Sequence, residues 1–480
     1  MELDRQTREK LNAQLAFLQP KAALALLREV RRDEAHGGNS YPHQFVAGKL
    51  IENLENQGFD AELLRQPWIL FSEPFQVFLV DRKNDVRQRG SILRESASII
   101  WNYLWTDLLP DQLPDLEFRI LEALRSDRPS DARTLMAAFH SQAGDRIWSQ
   151  LSVVEEGSRE HLSYNSKFGK PGVFEDAMEI ARALQIAPAL IQLRSKMRAG
   201  LTLCHDEDVR HCHTLYQQFL KTADNHVELG MILMARRLEK PYEVIKIVQH
   251  HVGAELDTII LRDPASQSAT LVLCDLEDSI REALKLISQY QDFPLVAEKI
   301  TEFYHCMAVF TSVVEISTRS LWGNRIIQIR NILSAAIKLQ IEQLPRLIKI
   351  LRYKNKSQRF LSPRSNGEST PNPYDVNQAI YIARLLDLSG RFLSQLSIND
   401  AYAKARNEAI NFLESVSEIN VSELAKADAG EKTKILKYFK PLVELTLILQ
   451  GEERAALLER RGDSAFRAQP AKSQPRNILI

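Results

Sequence analysis

Between Val296 and Val314, apolar residues recur at intervals of 4, 3, 4, 3 and 4: Val296, Ile300, Phe303, Met307, Phe310 and Val314. That rhythm matches the 3.6-residue period of an α-helix and not the two-residue period of a strand. A second seam, Cys306, Val309, Val313 and Ile316, runs along another side of the same segment. A helix with two apolar seams has to be covered twice, so the chain must stack helices in layers. Ile326, Ile329, Leu333, Ile337, Ile341 and Leu344 make a further long seam.

The rest of the chain agrees with this reading. Glycine supplies 18 of 480 residues, about half its usual share of roughly 7%, which leaves few tight turns for a many-stranded β fold. The expected fold is all-α and multi-helical. In the middle region Pro188, Pro241, Pro294 and Pro345 lie 53, 53 and 51 residues apart, each opening an apolar helical start. A proline at the first helical position loses no hydrogen bond, so the spacing points to an α-solenoid of stacked hairpins, with an irregular bundle as the rival.

The expected organisation has a Trp-rich helical domain over 1–160, which carries Trp68, Trp101, Trp105 and Trp148. A layered helical domain follows over 161–350. Residues 351–377 read as a basic, Ser/Pro-containing linker, 378–455 as C-terminal helices and 456–480 as a disordered tail. Within the first domain, Gly58 fits a left-handed helix stop. The aromatic stretch from Gln66 to Val80, with Pro67 and Pro74, reads as a non-helical plug of the core with a short strand at 75–80.

Charge and targeting features exclude several function classes. Sixty-two basic and sixty-two acidic residues cancel, so no global field draws nucleic acid or an anionic membrane. No apolar run approaches the roughly 20 residues that span a bilayer. Four cysteines in so long a chain make no disulfide framework and suit a reducing compartment. A soluble, cytoplasmic protein is expected.

Five clusters carry candidate chemistry. Cys204, His205, His211, Cys212 and His213 fall within ten residues. Zinc takes four such groups in a tetrahedron, which makes Cys204, His205, His211 and Cys212 the candidate metal set. A helix capped by Asp206 would splay His211 and His213 apart and turn Cys212 onto an apolar stripe. Glu302 and His305 have the Glu-x-x-His spacing of di-iron bundles but read as a surface pair beside the seam. His250 and His251, before Gly253, read as a dipole-favoured helix end. Gly169-Lys-Pro-Gly172 reads as a turn, because Glu175 and Asp176 in the next helical turn repel phosphate.

The fifth cluster is basic: Arg346, Lys349, Arg352, Lys354, Lys356, Arg359 and Arg364, with Tyr353 and Phe360 interleaved. Cations with aromatics can hold RNA or anionic lipid. No hydrolase, metalloprotease, nucleotide-binding or calcium-loop motif occurs. The leading expectation is therefore a non-enzymatic helical scaffold or adaptor, without a cofactor, that grips a protein partner in a groove between helices. The alternatives are a zinc or iron protein using residues 204–306 and an RNA or anionic-lipid binder using residues 346–364.

Overall fold

The computed structural model describes residues 5–35, 38–81, 88–110, 112–223, 225–353 and 370–468. The fold is all-α. The first helices are α1 (Arg5–Ala16), α2 (Pro20–Ala35), α3 (His43–Asn56), α4 (Gln66–Ser72), α5 (Arg94–Tyr103), α6 (Leu113–Arg125) and α7 (Pro129–Leu151). Then come α8 (Arg159–Phe168), α9 (Val173–Gln185), α10 (Ala187–Lys196), α11 (Asp206–Leu220), α12 (Glu228–Arg237), α13 (Val244–Val252), α14 (Asp257–Ile260) and α15 (Ser266–Gln289). The series closes with α16 (Phe293–Val313), α17 (Leu321–Ile341), α18 (Leu344–Ile350), α19 (Pro373–Ser389), α20 (Leu393–Leu396), α21 (Asn399–Lys426), α22 (Ala429–Gln450) and α23 (Glu452–Arg467). Among the described residues none of these helices is long and apolar enough to cross a membrane.

Two compact units make up the chain. The first holds the residues up to Cys274 together with Val313–Glu315; the second holds Asp275–Ser312 and the residues from Ile316 onward. These boundaries do not coincide with those expected at 160/161 and 350/351.

In the first unit, α1, α2, α3 and α6 enclose a core of Leu15, Leu27, Leu50, Leu54, Phe59 and Leu121. Gly58 ends α3 as its sequence position requires, at φ +85°. The amides of Gly58 and Phe59 donate to the carbonyls of Glu55 and Leu54, which satisfies two carbonyls that a helix end otherwise strands. Residues 66–80 do plug a core, with Phe71, Phe75 and Phe78 fully buried, but the expectation of a non-helical segment was wrong. Gln66–Ser72 is helical because Pro67 occupies an opening position, where it needs no donor. The strand is only Leu79–Val80, paired in parallel with Ile92–Leu93. Asp176 and Glu179 on α9 accept from the amides of Leu93 and Gly90, so two buried acids anchor this short ladder.

In the second unit, α16 carries the seam that most constrained the fold. Val296, Ile300, Phe303, Met307 and Phe310 are all buried. Ring contacts extend it, Phe310 to Trp322 at 5.9 Å and Tyr304 stacked on Phe392 at 4.2 Å. The four regularly spaced prolines do mark helix starts. The elements they open are unequal, however: helices of 10, 9, 21 and 7 residues, the second reached through a short 3-10 turn. Equivalent stacked units would need matching lengths. The tail expectation also needs correction, since α23 continues to Arg467 and its Leu458 and Ala465 are buried.

Candidate functional site

The arginines of α2 and an irregular turn after α5 line a cavity that combines cations with an unsatisfied indole N–H. Arg28, Arg31 and Arg32 are spaced i, i+3 and i+4, so one face of α2 carries all three. Opposite them, residues Leu104–Leu108 continue α5 as a π-helical turn. Such a turn inserts an extra residue and re-aims side chains, and it occurs often at functional sites. Here it brings Trp105 and Thr106 to the α2 arginines. A cavity of about 270 Å³ lies between them, lined also by Glu29, Asn102, Pro110 and Pro114.

The charges in this cavity are unequal in their partners. Arg28 lies over the Trp105 ring, 5.2 Å from its centroid, and pairs with the buried carboxylate of Glu117. Arg32 reaches Glu29 at 3.6 Å. Arg31 has no ion pair among the described residues. Its surroundings and the neighbouring Arg28 charge hold its pKa below the ordinary guanidinium value, although the side chain still reaches solvent. The Trp105 Nε1–H is buried without an acceptor among the described residues. Glu34 and Glu117 act on Arg31 only through their field, without a direct ion pair.

The structure disperses the sequence-predicted metal set. Cys204, His205 and His211 are exposed, and Cys212 is fully buried. His205, rather than Asp206, caps α11, and it shares a reciprocal capping box with Asp208. His211 and His213 diverge, as the helical period requires. Burial and the Asp208 charge push the Cys212 thiol up to about 11; a zinc ligand must be thiolate. Among the described residues no three His, Cys, Asp or Glu side chains converge to hold a metal ion. Glu302 and His305 are both exposed, off the apolar seam. Gly169 and Gly172 adopt left-handed conformations in a plain turn between α8 and α9.

Thiol reactivity follows from this placement. Cys204 is exposed, while Cys212, Cys274 and Cys306 are buried, with Cys306 pushed well above the ordinary thiol value by burial. One of the four thiols should react rapidly with a chromogenic disulfide in the native protein at pH 8, and Cys204→Ser should abolish that phase. A second rapid thiol would contradict the burial.

His213, His250 and His251 form a group that the sequence did not reveal. The His213 ring is 4.8 Å from His250 and 5.7 Å from His251. The Gln217 amide bridges His213 Nε2 at 3.1 Å and His251 Nδ1 at 3.2 Å. The amide N–H₂ has two hydrogens, one for each ring nitrogen. His250 and His251 do close α13 at left-handed Gly253, as expected.

Of the basic run, Arg346, Lys349 and Arg352 are exposed; Lys354, Lys356, Arg359 and Arg364 lie outside the described residues. Lys349 is engaged over the Phe412 ring at 3.8 Å. Tyr353 is buried, donating its hydroxyl to Glu431 at 2.8 Å, so its ring presents no face for a base to stack on.

Comparison of the chain with known family models, characterised proteins and solved structures finds no match.

Proposed function

We propose that this protein is a non-enzymatic helical adaptor that receives an acidic side chain of a protein partner in the groove between α2 and the π-helical turn. The observation that carries the reading is that Arg31, with no direct ion pair among the described residues, lines the same cavity as an indole N–H without an acceptor there. Both groups call for the same thing, an anionic oxygen. The size of the cavity favours a side chain over a cofactor. At about 270 Å³ it falls below the roughly 300–1,000 Å³ of ordinary small-molecule sites, while one carboxylate with its stem fits. Arg and Trp are also the residues that most often dominate protein interfaces.

A random peptide library selected on the full chain tests this. Selected peptides should be enriched in Asp or Glu, and Arg31→Glu should weaken their binding by about tenfold to a hundredfold, the worth of a charge-assisted hydrogen bond. Selection without acidic enrichment, or equal binding by Arg31→Glu, defeats the reading. The rival RNA or anionic-lipid reading has weaker support, because Lys349 and Tyr353 are already engaged within the fold. The free thiols support a reducing compartment such as the cytoplasm.

A further inference from the structure

A second cavity, of about 380 Å³, lies in the first unit between α4, α7 and α10. Two helical stripes make its long walls. On α7 they are Arg133, Met136, Ala137 and His140, spaced i, i+3, i+4 and i+7; on α10 they are Pro188, Ile191 and Ser195, spaced i, i+3 and i+7. Such spacings place each set on one face of its helix. Leu70 of α4 adds to the apolar lining.

The charged groups of this cavity are not equivalent. Arg194 is fully engaged: it pairs with the Glu73 carboxylate and donates to the Glu73 carbonyl at 3.1 Å and the Gln76 amide oxygen at 2.9 Å. Arg133 is exposed and has no ion pair or hydrogen bond among the described residues. Two guanidinium groups and one carboxylate leave one positive charge unmatched. It stands at one end of the α7 stripe, with buried His140 at the other. Seven residues of helix separate them by about 10 Å.

We infer that this cavity binds a small carboxylic acid with an apolar body, the carboxylate on Arg133 and the body along Met136, Ala137 and Ile191 toward His140. The volume is at the small end of ligand sites, which excludes a nucleotide or a long acyl chain. The apolar walls exclude a fully hydrophilic anion, because such a ligand would be desolvated without hydrogen bonds. The single unmatched charge selects a monoanion over a neutral alcohol or an amine. This inference is independent of the α2 groove.

Calorimetry on the full chain with octanoate, octanol and octylammonium tests it. Octanoate should bind, octanol about tenfold more weakly and octylammonium not measurably. Arg133→Gln should lower octanoate affinity to that of octanol while leaving octanol unchanged. Ala137→Trp, at an exposed helical position that tolerates a large side chain, should fill the cavity and remove binding of both without lowering the melting temperature. The inference is overturned if octanoate does not bind at millimolar concentration, if Ala137→Trp binds it like the wild type, or if Arg133→Gln leaves its preference over octanol intact.

Discussion

Phe71→Ala should destabilise the first unit by about 3–5 kcal/mol, the usual range for deleting a buried aromatic side chain. The Phe71 ring is fully buried and meets five others, those of Trp68, Phe75, Trp101, Phe139 and His140, at centroid distances of 5.9, 5.4, 4.5, 6.0 and 6.1 Å. Neighbours of this size cannot collapse onto the space without leaving good rotamers, so a cavity term adds to the lost transfer energy. Urea unfolding of the full chain, followed by tryptophan fluorescence, measures the change. Phe17→Ala is the control: that ring is 86% exposed, and its loss should change stability by less than about 0.5 kcal/mol. A Phe71→Ala effect below about 1 kcal/mol would show that the cluster is not tightly packed.

The second large effect is a loss of stability in mild acid. His140 is 2% exposed, and burial pushes its pKa down to about 4 from an ordinary 6.5. Its Nε2–H donates to the Phe71 carbonyl at 3.1 Å, which fixes the neutral tautomer, and Nδ1 has no hydrogen-bond partner among the described residues. Below pH 6.5 the unfolded chain takes up a proton that the folded chain refuses. The contribution is therefore complete above pH 6.5, declines as the pH falls, and is exhausted near pH 4. Between pH 7.5 and 5, His140 alone should remove about 2 kcal/mol. His213 acts in the same direction: burial first, then the His250 and His251 charges, lower its pKa. The urea midpoint of wild type should fall over this interval, and that of His140→Phe should fall less, from a lower starting value. Parallel profiles for the two proteins would refute the assignment.

Much of the fold was legible in the sequence because it depends on short-range periodicity. The seam of α16, the stop at Gly58 and the divergence of His211 and His213 all follow from the helical repeat within a few turns. The helical state of Gln66–Ser72 was misread because two prolines and dense aromatics mask the fact that Pro67 opens a turn. The candidate site was illegible for a different reason. Arg28, Arg31 and Arg32 are recognisable as a basic row, but Trp105 lies more than seventy residues away and reaches them only through a π-helical turn. No periodicity signals that turn. The grouping of His213 with His250 and His251 was hidden in the same way, since α11 and α13 meet only in the folded chain.

The three residues Val313–Glu315 have a consequence for anyone who divides this protein. They belong to the first unit, where the Glu315 amide donates to the Glu255 carbonyl at 2.8 Å and the Glu315 carbonyl accepts from the Asp257 amide at 3.2 Å. The intervening segment from Asp275 to Ser312 belongs to the second unit. The two bodies are therefore threaded through each other in sequence, and no single cut of the chain yields both intact. Nor can ribosomal synthesis complete the first before all of α16 has emerged. An N-terminal fragment ending at Cys274 leaves the Leu256 edge without the backbone that closes it.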